Sequence, residues 1–201
     1  MRIAIPIIAE SMDEALRDMD KAAEVADIIE LRIDYMRNLN LEKLLRHSQI
    51  PKIVTNRTRY EGGRFQGSEE RRIAYLQEAI ALGAEYVDIE LNHYHPLERE
   101  NTKLIVSHHN FEKTPDNLDE IYQRIAGKSP DIVKIATKAN TIDDSWRMLN
   151  LIYGADKAII GICMGKEGIM TRVCGPIVGG YLTFASLGEG KSSAPGQLNV
   201  D

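Results

Sequence analysis

The chain has 201 residues, 43% apolar and 27% charged, with 30 acidic and 25 basic side chains and a net charge of −5. That balance excludes a disordered or fibrous chain, and no apolar run approaches the ~18 residues of a membrane span. The acidic net charge and the lack of any Lys/Arg-rich block argue against a nucleic-acid partner.

The apolar opening, Ile3 to Ala9, is interrupted by Pro6 and followed by Glu10 and Asp13, so it reads as a strand rather than a secretory leader. Eight short apolar or β-branched runs predict strands at 2–8, 27–33, 52–56, 86–91, 103–107, 131–136, 158–163 and 181–186. Helix signals fill the gaps. Ser11 with Glu14 is a capping box, and Ala15, Met19, Ala22 and Val25 then share one helical face. A second helix fits 40–47. A third fits 69–82, capped by Ser68 and stopped by Gly83. Thr114-Pro115 reads as a cap and first position of a helix running to Ala126, and Thr141 with Asp144 opens another that ends near Gly154.

Strand and helix alternating eight times predict parallel strands with crossover helices, closed as a compact (β/α)8 TIM barrel of one domain over 1–201. The segments after strands four and seven are too short for long helices. About fifteen residues follow strand eight, so the last outer helix is short or missing. An open doubly wound sheet is the alternative, but no G-x-G-x-x-G follows the first strand. Cys163 and Cys174 have neither redox nor zinc spacing; they read as core residues of a chain in a reducing, cytoplasmic compartment.

Charge inside the strands is the informative anomaly, because parallel strands covered by helices should be nearly all apolar. Glu30, Arg32 and Asp34 alternate along the second strand, Asp88 and Glu90 along the fourth, and Lys134 interrupts the sixth. Side chains two apart share a face, so these charges converge on one surface, either as an internal salt-bridge network or as a site. Lys134 is the sharpest candidate. Burial and nearby arginines favour its neutral, nucleophilic amine, which can capture a ketone, while carboxylates push the other way. Lys138, just past that strand, reads as solvated. Strand five ends in Ser107-His108-His109-Asn110, and His109, sharing parity with Ser107, suits proton transfer. His93 and His95 with Asp88 and Glu90 could bind a metal, but the reading adopted is that no metal binds. His47 reads as a solvated helix-end residue. Loops at 55–64, 165–172 and 192–197 gather arginines, glycines, hydroxyls and an amide, which implies a small anionic substrate.

In order, the segments DIIELRID, TNRTRYEGGRF, YVDIEL, SHHNFEKTP, DIVKIA, MGKEGIMTR, LTFAS and SAPGQ resemble the type I 3-dehydroquinate dehydratases, the Schiff-base enzymes of the shikimate pathway. The resemblance implies that Lys134 forms the imine, His109 is the general base and acid, and Glu61 works with this histidine. It implies that Arg172, Ser193 and Gln197 hold the substrate carboxylate and close the site. Glu30, Arg32 and Arg57 would lie near the ring hydroxyls, with Met164 and Phe184 as apolar walls. It implies a small-molecule substrate, 3-dehydroquinate, no metal or organic cofactor and no membrane partner, and the expected assembly is a homodimer. Two departures accompany it: the family usually runs longer past SAPGQ, and the N-terminal hairpin that closes the barrel floor in bacterial members has no counterpart. A lysine-imine aldolase and a small-anion binding protein are the rival readings.

Overall fold

The computed structural model describes residues 1–200. Eight parallel strands appear in the predicted order: β1 (Ile3–Ile7), β2 (Ile28–Arg32), β3 (Lys52–Thr55), β4 (Tyr86–Glu90), β5 (Lys103–Asn110), β6 (Ile132–Lys138), β7 (Ala158–Met164) and β8 (Thr183–Ser186). They form one sheet ordered β7-β6-β5-β4-β3-β2-β1-β8, to which a two-residue strand β9 (Leu198–Asn199) adds beyond β8. Tyr181 N–H donates to Ile159 O at 2.7 Å, joining the segment before β8 to β7 and curling the sheet into the TIM-type barrel.

Crossover helices cover the outside: α1 (Met12–Ala23), α2 (Leu41–Arg46), α3 (Glu69–Ala81), α4 (Leu118–Ala126), α5 (Ile142–Gly154) and the short α6 (Ile169–Cys174). Ser11 and Ser68 cap, each accepting a backbone N–H three residues on at 3.3 Å, but the Glu14 carboxylate accepts the Glu10 N–H and does not close the predicted box at Ser11. Thr141 and Asp144 form a capping box. Between β4 and β5 there is one 3-10 turn, Leu91–His93, and no helix follows β8 among the described residues.

Several local predictions shift. Helix α4 starts after Asn117, not at Thr114, whose hydroxyl is instead bound to Thr137 and donates to Lys138 O at 2.9 Å. A hydroxyl committed to the neighbouring strand cannot cap. Helix α1 stops at Ala23, leaving Val25 exposed. Strand β5 runs on through His108, His109 and Asn110, paired with Ile135, Ala136 and Thr137 of β6. Lys138 closes β6 and is exposed. His47 Nε2 lies 2.7 Å from Asp20.

The alternation of side chains divides the apolar residues into two cores. One faces the helices: Ile5, Ile29, Leu31, Val54, Val87, Val106, Val133 and Ile159 pack with Met19, Leu76, Ile125 and Met148. A Cβ on Gly161 would stand 2.6 Å from Ile152 of α5, so only glycine lets that helix sit so close to β7. The other core fills the lower barrel with Ala4, Ile28, Ile53, Tyr86, Ile105, Ile132 and Ile160, inward residues of β1 to β7. Beneath it the Tyr86 and Tyr181 hydroxyls meet at 2.8 Å, with the Arg2 guanidinium 4.5 Å from the Tyr181 ring centre.

Candidate active site

One period above that apolar layer, the inward positions turn polar: Glu30 on β2, Thr55 on β3, Asp88 on β4, Ser107 on β5 and Lys134 on β6. Register places them as neighbours, with Thr55 beside Asp88, and Ser107 between Glu90 and Lys134. All are buried, so every charge needs a partner. Lys134 Nζ donates to Asp88 Oδ2 at 2.8 Å and to Glu30 Oε1 at 3.4 Å, and lies 4.8 Å from the Phe184 ring centre. Arg57, just past β3, meets Asp88 at 2.9 Å and Glu90 at 3.2 Å and donates to Ser107 Oγ at 2.7 Å. Ser107 Oγ donates to Asp88 Oδ1 at 2.6 Å, and Thr55 Oγ1 to Glu30 at 2.9 Å.

Burial alone would raise the Asp88 carboxyl, but Arg57 and Lys134 hold it well below the usual carboxylate range. Asp88 and Glu90, with Glu30, keep the Arg57 guanidinium firmly charged despite its burial. The salt-bridge network and the site are therefore one structure. Arg57 and Lys134 share Oδ2 of Asp88, and the ion-pair partners of the amine are carboxylates.

His109 sits one inward position above Ser107. Its backbone N–H donates to Glu61 Oε2 at 3.0 Å, and its ring Nδ1 lies 2.9 Å from the same oxygen. An acceptor already taking one N–H calls for a second donor, which puts the proton on Nδ1 and leaves Nε2 bare. Burial, with Arg57 and Lys134 nearby, lowers the imidazole well below its ordinary value, so it is neutral near pH 7. Burial raises the Glu61 carboxyl to about 7, with Glu90 adding to the rise and Arg57 opposing it. Glu61 reaches this place through the turn that follows it. Gly62 has φ +78°, and a Cβ there would lie 2.3 Å from the Phe111 ring, itself stacked on His109. His108, of opposite parity, does not border the cavity; its Nδ1 is buried without a partner among the described residues.

Lys134, His109, Glu61, Glu30, Arg32, Arg57, Arg172, Ser193 and Gln197 all line one cavity at the C-terminal ends of the strands. About 530 Å³ there is free of protein atoms, part of it open to solvent. Ala136, Ile162, Met164 and Phe184 form its apolar wall. Four arginines are buried, and Arg172 is the one without a carboxylate partner among the described residues. It donates to Pro195 O at 3.2 Å, while its Nε is buried with no partner among those residues. Burial lowers this guanidinium to about 10, so it remains a cation at pH 7 and awaits an anion. Gln197 borders the cavity too, but its Oε1 accepts Ser193 N–H at 2.8 Å and its Nε2 donates to Ala185 O at 3.0 Å. Its amide therefore braces the loop.

Asp88 and Glu90 point into the barrel, whereas His93 stacks on Tyr60 and His95 lies 3.7 Å from Glu69. No group of three or more His, Cys, Asp or Glu among the described residues is arranged to hold a metal. No described helix is long and apolar enough to cross a membrane. The supporting roles of three residues escaped the sequence reading. Asn92 donates to Glu61 Oε1 at 3.3 Å. Arg72 of α3, fully buried, binds Glu90 at 2.6 Å and the Asn56 and His93 carbonyls, tying the ends of β3 and β4 together. Asp34 grips Arg32 with both oxygens. Only Asp34 left a trace, as the third charge in its alternating run.

The chain is similar to known proteins over nearly its whole length. The model of the type I 3-dehydroquinase family matches residues 3–201. A 3-dehydroquinate dehydratase of Methanococcus maripaludis is 43% identical over 98% of this chain and 94% of its own. Its counterpart in Methanocaldococcus jannaschii is 39% identical over 99% and 94%. A solved type I 3-dehydroquinate dehydratase from Clostridium difficile, with covalent modified comenic acid, superposes with a TM-score of 0.85 at 26% identity, over 98% of this chain and 87% of that one. With a family model spanning nearly the whole length and close relatives covered end to end, the chain belongs to the type I 3-dehydroquinase family of enzymes.

Proposed function

We propose that this chain dehydrates 3-dehydroquinate to 3-dehydroshikimate through a covalent imine on Lys134, with His109 moving the protons. The observation that carries the reading is the meeting, in one cavity, of an inward lysine amine, a neutral imidazole oriented by a carboxylate, and a buried arginine with no carboxylate partner among the described residues. A site built on an amine, a proton carrier and an anion clamp suits a ketone with an acidic neighbouring carbon and a carboxylate handle.

In this scheme the Arg172 guanidinium and Ser193 take the substrate carboxylate, and Gln197 keeps the loop closed over it. Glu30, Arg32 and Arg57 face the ring hydroxyls. Lys134 gives one proton to Glu30, to which Nζ already donates, and attacks the ketone; that proton leaves with the carbinolamine hydroxyl as water, and a protonated imine forms. Nε2 of His109 removes the proton beside the imine, and the electron pair moves into an enamine. Collapse of the enamine expels the hydroxyl β to the original ketone, which leaves as water with the proton from His109. A second water then releases the lysine. Glu61 fixes the ring tautomer and balances the charge while the imidazole holds the proton. The solved Clostridium difficile relative carries a covalent modified comenic acid, which fits a site that bonds its ligand.

Borohydride reduction in the presence of 3-dehydroquinate, followed by peptide mass spectrometry, tests the scheme. The expected result is an adduct on the peptide bearing Lys134, with neither adduct nor appreciable turnover in Lys134→Ala. Normal turnover without that lysine would overturn it.

A further inference from the structure

Two of the buried arginines bordering the cavity, Arg32 and Arg172, offer it different things. Arg32, the last residue of β2, donates Nε to Asp34 Oδ1 at 2.9 Å and Nη2 to Asp34 Oδ2 at 2.8 Å. That is a closed two-point fork onto one carboxylate whose side chain is fully buried. Asp34 stands two residues on, in the 3-10 turn Ile33–Tyr35, and its Oδ2 also accepts the Arg64 N–H at 2.9 Å. The Tyr35 ring lies 4.9 Å from the Arg32 guanidinium and 4.2 Å from that of Arg64. The carboxylate is thus held from both sides before any ligand arrives. Arg32 keeps only Nη1 without a partner among the described residues. Arg172 is the reverse case: no carboxylate, one carbonyl contact through Nη2 and a buried Nε without a partner among those residues.

A guanidinium clamps a carboxylate through two parallel N–H groups and a net charge. Arg32 has given its Nε/Nη2 edge and its charge to Asp34, so what it turns to the cavity is the remaining N–H groups of an already neutralised guanidinium, which suit hydroxyls better than a second carboxylate. We propose that Asp34 is a specificity-determining positioning residue: by taking one edge and the charge of Arg32 it leaves Arg172 as the carboxylate clamp and fixes which way round a hydroxylated carboxylate lies. The inference rests on the proposed function, in that the ligand carries a carboxylate for Arg172. It goes beyond that reading by explaining why two cationic side chains in one cavity do not compete for it.

Competitive inhibition by cyclohexanecarboxylate and by the cis-1,3 and cis-1,4 cyclohexanedicarboxylates tests this. On the wild-type protein the second carboxylate should improve inhibition by no more than about threefold, since Asp34 already answers the charge of Arg32. In Asp34→Asn one dicarboxylate should tighten by about tenfold or more, the monocarboxylate should stay put, and kcat/KM for substrate should fall. In Asp34→Asn/Arg32→Ala the gain should vanish. A merely structural Asp34 predicts weaker binding of everything and cannot produce a tighter inhibitor. A dicarboxylate advantage above tenfold in the wild type, or a folded Asp34→Asn with an unchanged inhibition ratio, overturns the proposal. Should Asp34→Asn not fold, the wild-type comparison decides alone. If Arg172→Ala leaves monocarboxylate inhibition unchanged, the underlying reading of the clamp fails instead.

Discussion

Replacing Glu61 by Gln should make the protein sturdier above neutral pH while crippling it as a catalyst. Burial lifts the Glu61 carboxyl from 4.5 to about 7. Between those values the folded chain holds a proton that the unfolded chain releases. The stability this group gives is therefore full below 4.5, falls as pH rises through the window and levels off above about 7. At about 1.4 kcal/mol per pH unit, ionised Glu61 costs the fold about 3 kcal/mol at pH 8. Gln has the same shape without the charge, but it gives up the charge-assisted bonds to the His109 N–H and ring, a loss of about 1 kcal/mol. The remainder, about 2 kcal/mol, corresponds to a Tm raised by about 4–8 °C at pH 8 in a chain of this size. At pH 5, where the folded wild type is already protonated, the two melting points should lie within about 2 °C of each other. Turnover should drop by ~10²-fold, because nothing then balances the imidazolium. Thermal melts at both pH values, paired with kcat, measure this. A Glu61→Gln protein melting at or below wild type at pH 8 with its activity intact would refute the reasoning.

His109→Ala should still yield the hydride-trapped adduct yet turn over ~10³-fold more slowly, because imine formation and proton abstraction are then separated; an unchanged kcat would move the base elsewhere. Arg172→Met should raise KM by about 10–100-fold, as expected for losing a charge-assisted hydrogen bond. Its Tm should not fall, because no ion pair among the described residues is lost and a buried cation whose Nε has no partner there is removed; a collapse in Tm would mean that Arg172 is structural. Gly62→Ala should cost about 2 kcal/mol or more, since φ +78° and a Cβ 2.3 Å from Phe111 both oppose it. Urea titration checks that loss, and a neutral effect would contradict the packing at this turn.

Strand positions were legible because β-branched runs and turn residues mark them, and the charges at Glu30, Asp88 and Lys134 were legible because their alternation breaks an otherwise apolar pattern. The same alternation predicted a common face, and the register of β4, β5 and β6 delivers it. Other features depend on contacts far apart in the chain. Thr114 looks like a cap until its hydroxyl is seen bound to Thr137, and the length of β5 rests on pairing with β6 rather than on the polarity of His108-His109-Asn110. Arg72 reads as one more charge on a helix surface, yet it is fully buried against Glu90. The two residues of β9 are exposed and owe their pairing to the return of the last loop onto β8.

That returning loop is fastened at several points. Lys191 pairs with Glu14 and lies 2.8 Å from Asp18 on α1, Pro195 O accepts both Gly165 N–H and Arg172, and Ser186 Oγ donates to Asn199 at 2.6 Å. A flap tethered in this way has surrendered its freedom during folding, so little remains to be given up when a guest enters. Affinity then reflects the quality of the contacts more than the cost of ordering the cover. The half-buried lysine tether also makes that readiness sensitive to ionic strength, linking dissolved salt to the poise of a mouth whose chemistry lies well below the surface.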